Sequence, residues 1–363
     1  MVEPRADTSA CIRACPGADC DGGRYGPYEA GLSGRPYDLN GNGEPSTMLM
    51  PETTTTAPLD LDAFWDELDA ELAALPAATE LEHLPLHSTG RSDTFRARFT
   101  SIGPYRIEAF LSVPHGDGPF PGLLLAPGYA SVVVPPSYDD RMRYVAMSLR
   151  YRGTRGADKP YAAKFPGFLT DGIEDPRAWK IRGMLADALR AFEVLVAQPP
   201  VDRERVAISG ADTGVIVAAR RPGVSALAVT APLFYRLADL YPRTEAYPFE
   251  EINDHLRAFP EAKADIDRTL SYVDPLHHAS RVTADTLVSV GDPGTVNGPE
   301  WLAPLVQSLG GAVEQYAQTH EGQTDYDAVD RWLAQQQGVE PRPRTWDPQD
   351  VGPWSARKTS VAS

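Results

Sequence analysis

The chain has 363 residues and carries 34 Lys and Arg against 50 Asp and Glu, a formal net charge of −16. That balance leaves no basic face to neutralise phosphates, so a nucleic-acid partner is excluded. No apolar stretch nears the length of a membrane span, so no membrane partner is expected. With 42% hydrophobic and 23% charged residues, the composition is globular rather than disordered. The length suits one large α/β domain with tails or two smaller domains.

Residues 1–50 read as an N-terminal tail, full of Gly, Pro, Asp and Arg without helical or strand period. Cys11, Cys15 and Cys20 are the chain's 3 cysteines. Their spacing lacks the paired CxxC and fourth ligand of a zinc site, and cysteine-ligated clusters are spaced more tightly. A start at Met48 or Met50 is the simpler expectation. The N-terminus shows no apolar core of a secretory signal, so a cytoplasmic, reducing location is expected. Residues 51–338 form the domain, and 339–363 read as a second tail.

Within the domain, residues 59–75 place apolar side chains at helical spacing behind candidate Asp caps. Residues 95–99 and 107–113 read as paired antiparallel strands. Residues 121–127 are a short continuous apolar run, the mark of a buried strand. A strand at 144–149 and an amphipathic helix at 181–196 follow. Buried strands are then predicted at 206–209, 226–230 and 287–290. A helix at 301–309, a strand at 313–316 and a helix at 326–333 complete the alternation. Such alternation predicts a mostly parallel sheet covered on both faces, with function at the carboxyl ends of the strands.

One turn carries most of the functional information. A strand at 205–209 runs into Gly210-Ala211-Asp212-Thr213-Gly214 and then into a helix. The flanking glycines let strand and helix approach closely and predict a strained central residue. This is the pattern of the nucleophile elbow, GxSxG, with Asp212 in place of serine. Further parts follow in hydrolase order: Asp292 after the strand at 287–290, and His320 after the strand at 313–316. Pro127-Gly128-Tyr129 follows the first buried strand, where an oxyanion-hole amide would arise.

At these residues the chain resembles the acetyl xylan esterase/cephalosporin-C deacetylase family of α/β-hydrolases. Further carriers are Phe64-Trp65, Arg152-Gly153, Gly172-Ile173-Glu174-Asp175-Pro176, Arg182 and Asp187-Ala188. Tyr247-Pro248-Phe249-Glu250-Glu251-Ile252, the segment from Leu270 to Asp274, and Ser289-Val290-Gly291 also match. The resemblance implies the α/β-hydrolase fold, with His320 in the place of the family histidine and the backbone N–H groups of Tyr129 and Thr213 as oxyanion donors. It implies self-association as an expectation, and no cofactor or metal. The departures fall on the site. Asp212 replaces the family serine, and the family's acid aligns without gaps on Gly294, two residues beyond Asp292.

A carboxylate attacking an ester carbonyl gives a mixed anhydride, whereas at sp³ carbon it gives an ester that activated water can cleave. The leading expectation is therefore a hydrolase of a small organic substrate with Asp212 as nucleophile and His320 activating water, Asp292 orienting the histidine. The alternatives are a lyase, isomerase or cyclase using Asp212 as acid or base, and a catalytically silent binding protein. A helix N-terminus would favour ionised Asp212. Halide chemistry is weakly supported, because Thr213 stands where a Trp donor commonly sits. The Tyr129 ring is read as a pocket cover or proton donor, and Tyr235 as either pocket lining or core. His277 and His278 are adjacent and point apart, without acidic ligands nearby, so they are read as structural.

Overall fold

In the computed structural model, residues 55–153, 166–230, 232–318 and 326–343 are described. The expected tails fall largely outside them. Helix α1 (Leu61–Ala73) opens the fold, and its buried residues are Leu61, Phe64, Trp65, Leu68 and Leu72. Those positions fall on one stripe of a 3.6-residue helix. Strands β1 (Glu80–His83), β2 (Ser92–Ser101), β3 (Tyr105–Pro114) and β4 (Phe120–Leu125) follow. Helix α2 (Tyr138–Arg143) leads to β5 (Val145–Arg150), α3 (Lys180–Val196), β6 (Val201–Gly210), α4 (Asp212–Arg220) and β7 (Val224–Val229). Three helices, α5 (Leu237–Leu240), α6 (Glu250–Ala258) and α7 (Lys263–Ser271), fill the connection to β8 (Asp285–Val290). Helix α8 (Pro299–Ser308), β9 (Val313–Ala317) and α9 (Tyr326–Gln337) end the fold.

The nine strands form one sheet in the order β1-β2-β3-β5-β4-β6-β7-β8-β9. The first three and the β3/β5 pair are antiparallel. From β5 to β9 all neighbours are parallel. The strands alternate between two cores. Leu124, Val145, Met147, Val206, Ile208, Leu227 and Val288 join a large cluster with α1, α3 and α4. Their chain neighbours Leu123, Ala146, Ala207, Ala226, Ala228 and Leu287 face Val329, Trp332 and Leu333 of α9. Alternate strand side chains point to opposite faces. Here one face is mostly large and the other rich in alanine, which lets the Trp332 ring lie close to the strands.

The predicted strands and long helices are present, with ends shifted by a few residues. β1 and α2 were not anticipated, nor were α5, α6 and α7. β1 is a wholly exposed edge strand of sequence ELEH, so it has no apolar period to read. Its charges suit an edge that must not recruit another strand.

Candidate functional site

The carboxyl ends of β4 and β6 lie side by side, since Leu125 pairs with Ser209 in the parallel ladder. The approach of β6 to β4 requires glycine at 210: a Cβ there would lie 3.0 Å from Ala126 Cβ and 3.1 Å from its carbonyl oxygen. At Gly214 a Cβ would meet Leu227 Cδ1 at 3.0 Å. Gly210→Ala is expected to destabilise the fold by about 1–3 kcal/mol, because backbone rather than a flexible side-chain tip must yield. Urea denaturation of the variant measures this.

The predicted strain at the centre of the turn is not found. Among the described residues, Ala78, Ala130 and Arg236 are the non-glycine residues with positive φ. Asp212 instead begins α4, preceded by Ala211 at φ −107° and ψ −132°. The physical reason lies in where its side chain goes. Asp212 is 3% exposed, and its carboxyl group accepts three backbone N–H bonds from the stretch after β7. Leu233 N–H donates to Oδ2 at 2.6 Å, and Phe234 and Tyr235 N–H donate to Oδ1 at 2.8 and 3.1 Å. A row of amides ending in a left-handed residue, Arg236 at φ 52°, forms a concavity for an anion. The anion here is Asp212 itself.

Burial pushes the Asp212 pKa from 3.8 up to about 7, outweighing the amides, and the buried Asp274 carboxyl adds to the rise. Loss of hydration is the largest effect on this carboxyl, and it opposes the helix dipole expected to favour the ionised form. Asp274 is tied to the same stretch by the Arg236 N–H at 3.1 Å, and burial raises it to about 7 as well. The Arg236 side chain pairs with Asp239 at 2.9 Å and stacks on Trp301 at 4.1 Å.

Tyr129 follows β4 as foreseen. Its hydroxyl donates to both Glu251 oxygens, at 3.2 and 3.1 Å. That makes the ring an anchor to α6. Glu251 also accepts the Leu169 N–H at 2.9 Å, and burial raises its pKa. Thr213 is buried in the first turn of α4. Tyr235 is core: it is 1% exposed, and its hydroxyl donates to the Trp301 carbonyl at 2.8 Å. His278 is wholly buried beside Trp65, and among the described residues no His, Cys, Asp and Glu group is fit to hold a metal.

Asp292 stands in the exposed loop after β8. Gly294, the ungapped match to the family acid, has φ 80°, a conformation in which an Asp side chain would be strained. His320 lies outside the described residues. The chain leading to it is placed: Gln318 N–H donates to the Val290 carbonyl at 2.8 Å, and its side-chain amide donates to Ser289 Oγ at 2.7 Å. The connections carrying Asp292 and His320 therefore leave the sheet from adjacent strand ends. Sequence reasoning assigned no role to Glu251, although it lies inside a matching motif, nor to the amides of 233–235.

Among the described residues no helix is long and apolar enough to cross a membrane. The family model described as acetyl xylan esterase matches residues 49–303, a stretch that includes Asp212 and Asp292 and ends before His320. Acetyl esterase Axe7A of Xylanibacter ruminicola is 22% identical over 261 residues, 67% of this chain and 58% of that protein. The chain thus spans little more than half the length of that relative. The solved acetyl xylan esterase from Paenibacillus sp. R4 superposes with a TM-score of 0.69 at 21% identity, over 78% of this chain and 96% of that one. Acetyl xylan esterase 1 from Thermoanaerobacterium sp. JW/SL YS485 gives 0.69 at 19% identity, with the same coverage. These structures share the α/β-hydrolase fold seen here, and with the family model matching well over half of its length, the chain belongs to the acetyl xylan esterase family.

Proposed function

We propose that the protein is an acetyl-esterase-like hydrolase of a small organic substrate, working at the turn centred on Asp212, with His320 as the base that activates water. The observation that carries this reading is the convergence of parts. Asp212 begins α4 at the carboxyl end of β6, and the Tyr129 loop leaves the neighbouring parallel strand β4. In open α/β sheets that is where ligands bind. The net charge of −16 supports a small molecule over a polyanion as substrate.

In the covalent form of the mechanism, an Asp212 oxygen attacks an sp³ carbon and displaces the leaving oxygen. Water then attacks the Asp212 carboxyl carbon, His320 takes its proton, the backbone N–H groups of Tyr129 and Thr213 hold the oxyanion, and collapse of that intermediate breaks the Asp212 ester, the alcohol oxygen leaving with the proton from His320. One observation favours a second form: both Asp212 oxygens are already held by amides. In that form Asp212 stays in place and water activated by His320 attacks the ester carbonyl directly.

Isotope labelling separates the two. A single turnover in ¹⁸O-water, with enzyme in excess, is followed by tryptic digestion in ordinary water. Cleavage after Arg205 and Arg220 frees a peptide whose one side-chain carboxyl is Asp212. The covalent form predicts label in that peptide; the direct form predicts label in the released acid alone. Absence of hydrolysis with p-nitrophenyl acetate and a panel of small esters and epoxides would overturn the hydrolase reading.

A further inference from the structure

Tyr151 is the first residue beyond β5 and is 1% exposed. Its hydroxyl donates to the Gly128 carbonyl and lies 3.1 Å from that of Pro127. The Gly128 carbonyl and the Tyr129 N–H belong to one planar trans peptide, so they point in opposite directions. Fixing the carbonyl fixes the aim of the N–H. The same carbonyl accepts the Ser131 N–H at 3.3 Å, closing a turn through Ala130, whose φ is 55°. A non-glycine residue in that region is strained, because its Cβ crowds the following carbonyl oxygen. The turn is therefore kept in a conformation it would otherwise tend to leave. The far end of Tyr129 is held independently, by its hydroxyl on Glu251.

We propose that Tyr151 is a positioning residue, whose hydroxyl locks the Gly128–Tyr129 peptide so that the Tyr129 N–H faces away from β5 as a preset donor to the carbonyl oxygen of an ester substrate. This rests on the direct form of the hydrolase reading for its catalytic consequence, but not for the lock itself. Burial and the charge of nearby Asp212 push Tyr151 ionisation far above neutrality, so the hydroxyl keeps the proton that it donates. Ring and hydroxyl have separable jobs. The ring fills core, while the hydroxyl reaches the loop.

Tyr151→Phe keeps the ring and removes the bond. Hydrogen exchange followed by mass spectrometry is expected to show roughly 10-fold faster exchange confined to peptides spanning 127–131. With p-nitrophenyl acetate, kcat is expected to fall about 10- to 100-fold with KM changed less than about 2-fold, since an oxyanion donor acts in the transition state. Glu251→Gln, which still offers an acceptor to the Tyr129 hydroxyl, should leave exchange at 127–131 close to wild type. Unchanged exchange in Tyr151→Phe would overturn the lock. Faster exchange throughout the domain, or kcat and KM moving together, would reduce Tyr151 to ordinary packing and overturn the proposal equally. If the wild type hydrolyses no ester, the hydrolase reading falls, while the exchange result still decides whether Tyr151 holds the peptide.

Discussion

Asp212→Asn is expected to lower turnover by about 10³-fold or more, a loss typical of removing a group that forms or orients the reacting bond. Its effect on stability should reverse with pH. Asparagine keeps one acceptor oxygen, able to serve Phe234 and Tyr235, but turns an NH₂ toward the Leu233 N–H that donates to Oδ2 in the wild type. An unsatisfied buried donor costs about 1–3 kcal/mol. Against this stands the charge that the wild type buries. The folded pKa of about 7 lies above the ordinary 3.8, so the stabilising contribution of the carboxyl is complete below pH 3.8 and is lost as pH rises through 7. The full difference amounts to about 4 kcal/mol. The Asn variant should therefore be less stable than wild type near pH 4 and equal or superior near pH 8.

The wild-type curve alone would hide this. His278 is pushed down to about 4 by burial, and burial lowers His277 too. A histidine with a depressed folded pKa contributes stability that grows as pH rises toward 6.5, opposite in sign to Asp212 and Asp274. The quantity to measure is the difference between variant and wild type in urea denaturation at pH 5 and pH 8. An equal difference at both would mean that Asp212 does not titrate in that window. A variant with wild-type turnover would remove Asp212 from the chemistry altogether.

The residues that were legible in the sequence share one property: they announce themselves through local period or local composition. The α1 stripe of Leu61, Phe64, Trp65, Leu68 and Leu72 is such a period. The glycines around Asp212 are such a composition, and they placed the strand-to-helix turn correctly. The fate of the Asp212 side chain was not legible, because its partners are backbone amides 21 to 23 residues downstream. An amide donor leaves no mark in a sequence. The same holds for Tyr151, whose partners are carbonyls. Glu251 did lie inside a matching motif, but its partner Tyr129 is 122 positions away. The family's acid aligned without gaps on Gly294, which carries no carboxyl group, so the sequence offered Asp292 only with a rebuilt loop. The left-handed backbone at Gly294 shows that this loop takes a turn suited to glycine rather than to a side chain.

Arg152→Ala is expected to cost about 3–5 kcal/mol, the usual penalty for removing one partner of a buried ion pair. Asp187 has a side chain with no solvent exposure, and among the described residues Arg152 supplies the donors that satisfy it: its backbone N–H and Nε at 2.9 Å and its Nη2 at 2.7 Å. The guanidinium also donates to the Ile102 carbonyl at 3.1 Å. It occupies a slot that exists because α3 carries glycine at 183, where a Cβ would lie 2.4 Å from Arg152 Nη1. A stability of about 5–15 kcal/mol is ordinary for a domain, so this single change is expected to remove about a fifth of it or more. Arg152→Lys should fall between, because an ammonium keeps the charge but not the two-pronged geometry. The double variant Arg152→Met with Asp187→Leu should recover most of the loss, since no charge is then left buried alone. Chemical denaturation of the wild type and the three variants measures these differences. A loss below about 1 kcal/mol in Arg152→Ala would mean that water reaches Asp187. Arg152 also follows Tyr151 directly, and its backbone N–H on Asp187, which survives in Arg152→Ala but not in Asp187→Leu, holds the backbone that carries the hydroxyl beneath Gly128. The double variant, in which the backbone N–H of residue 152 has lost its acceptor, should therefore regain stability more completely than turnover.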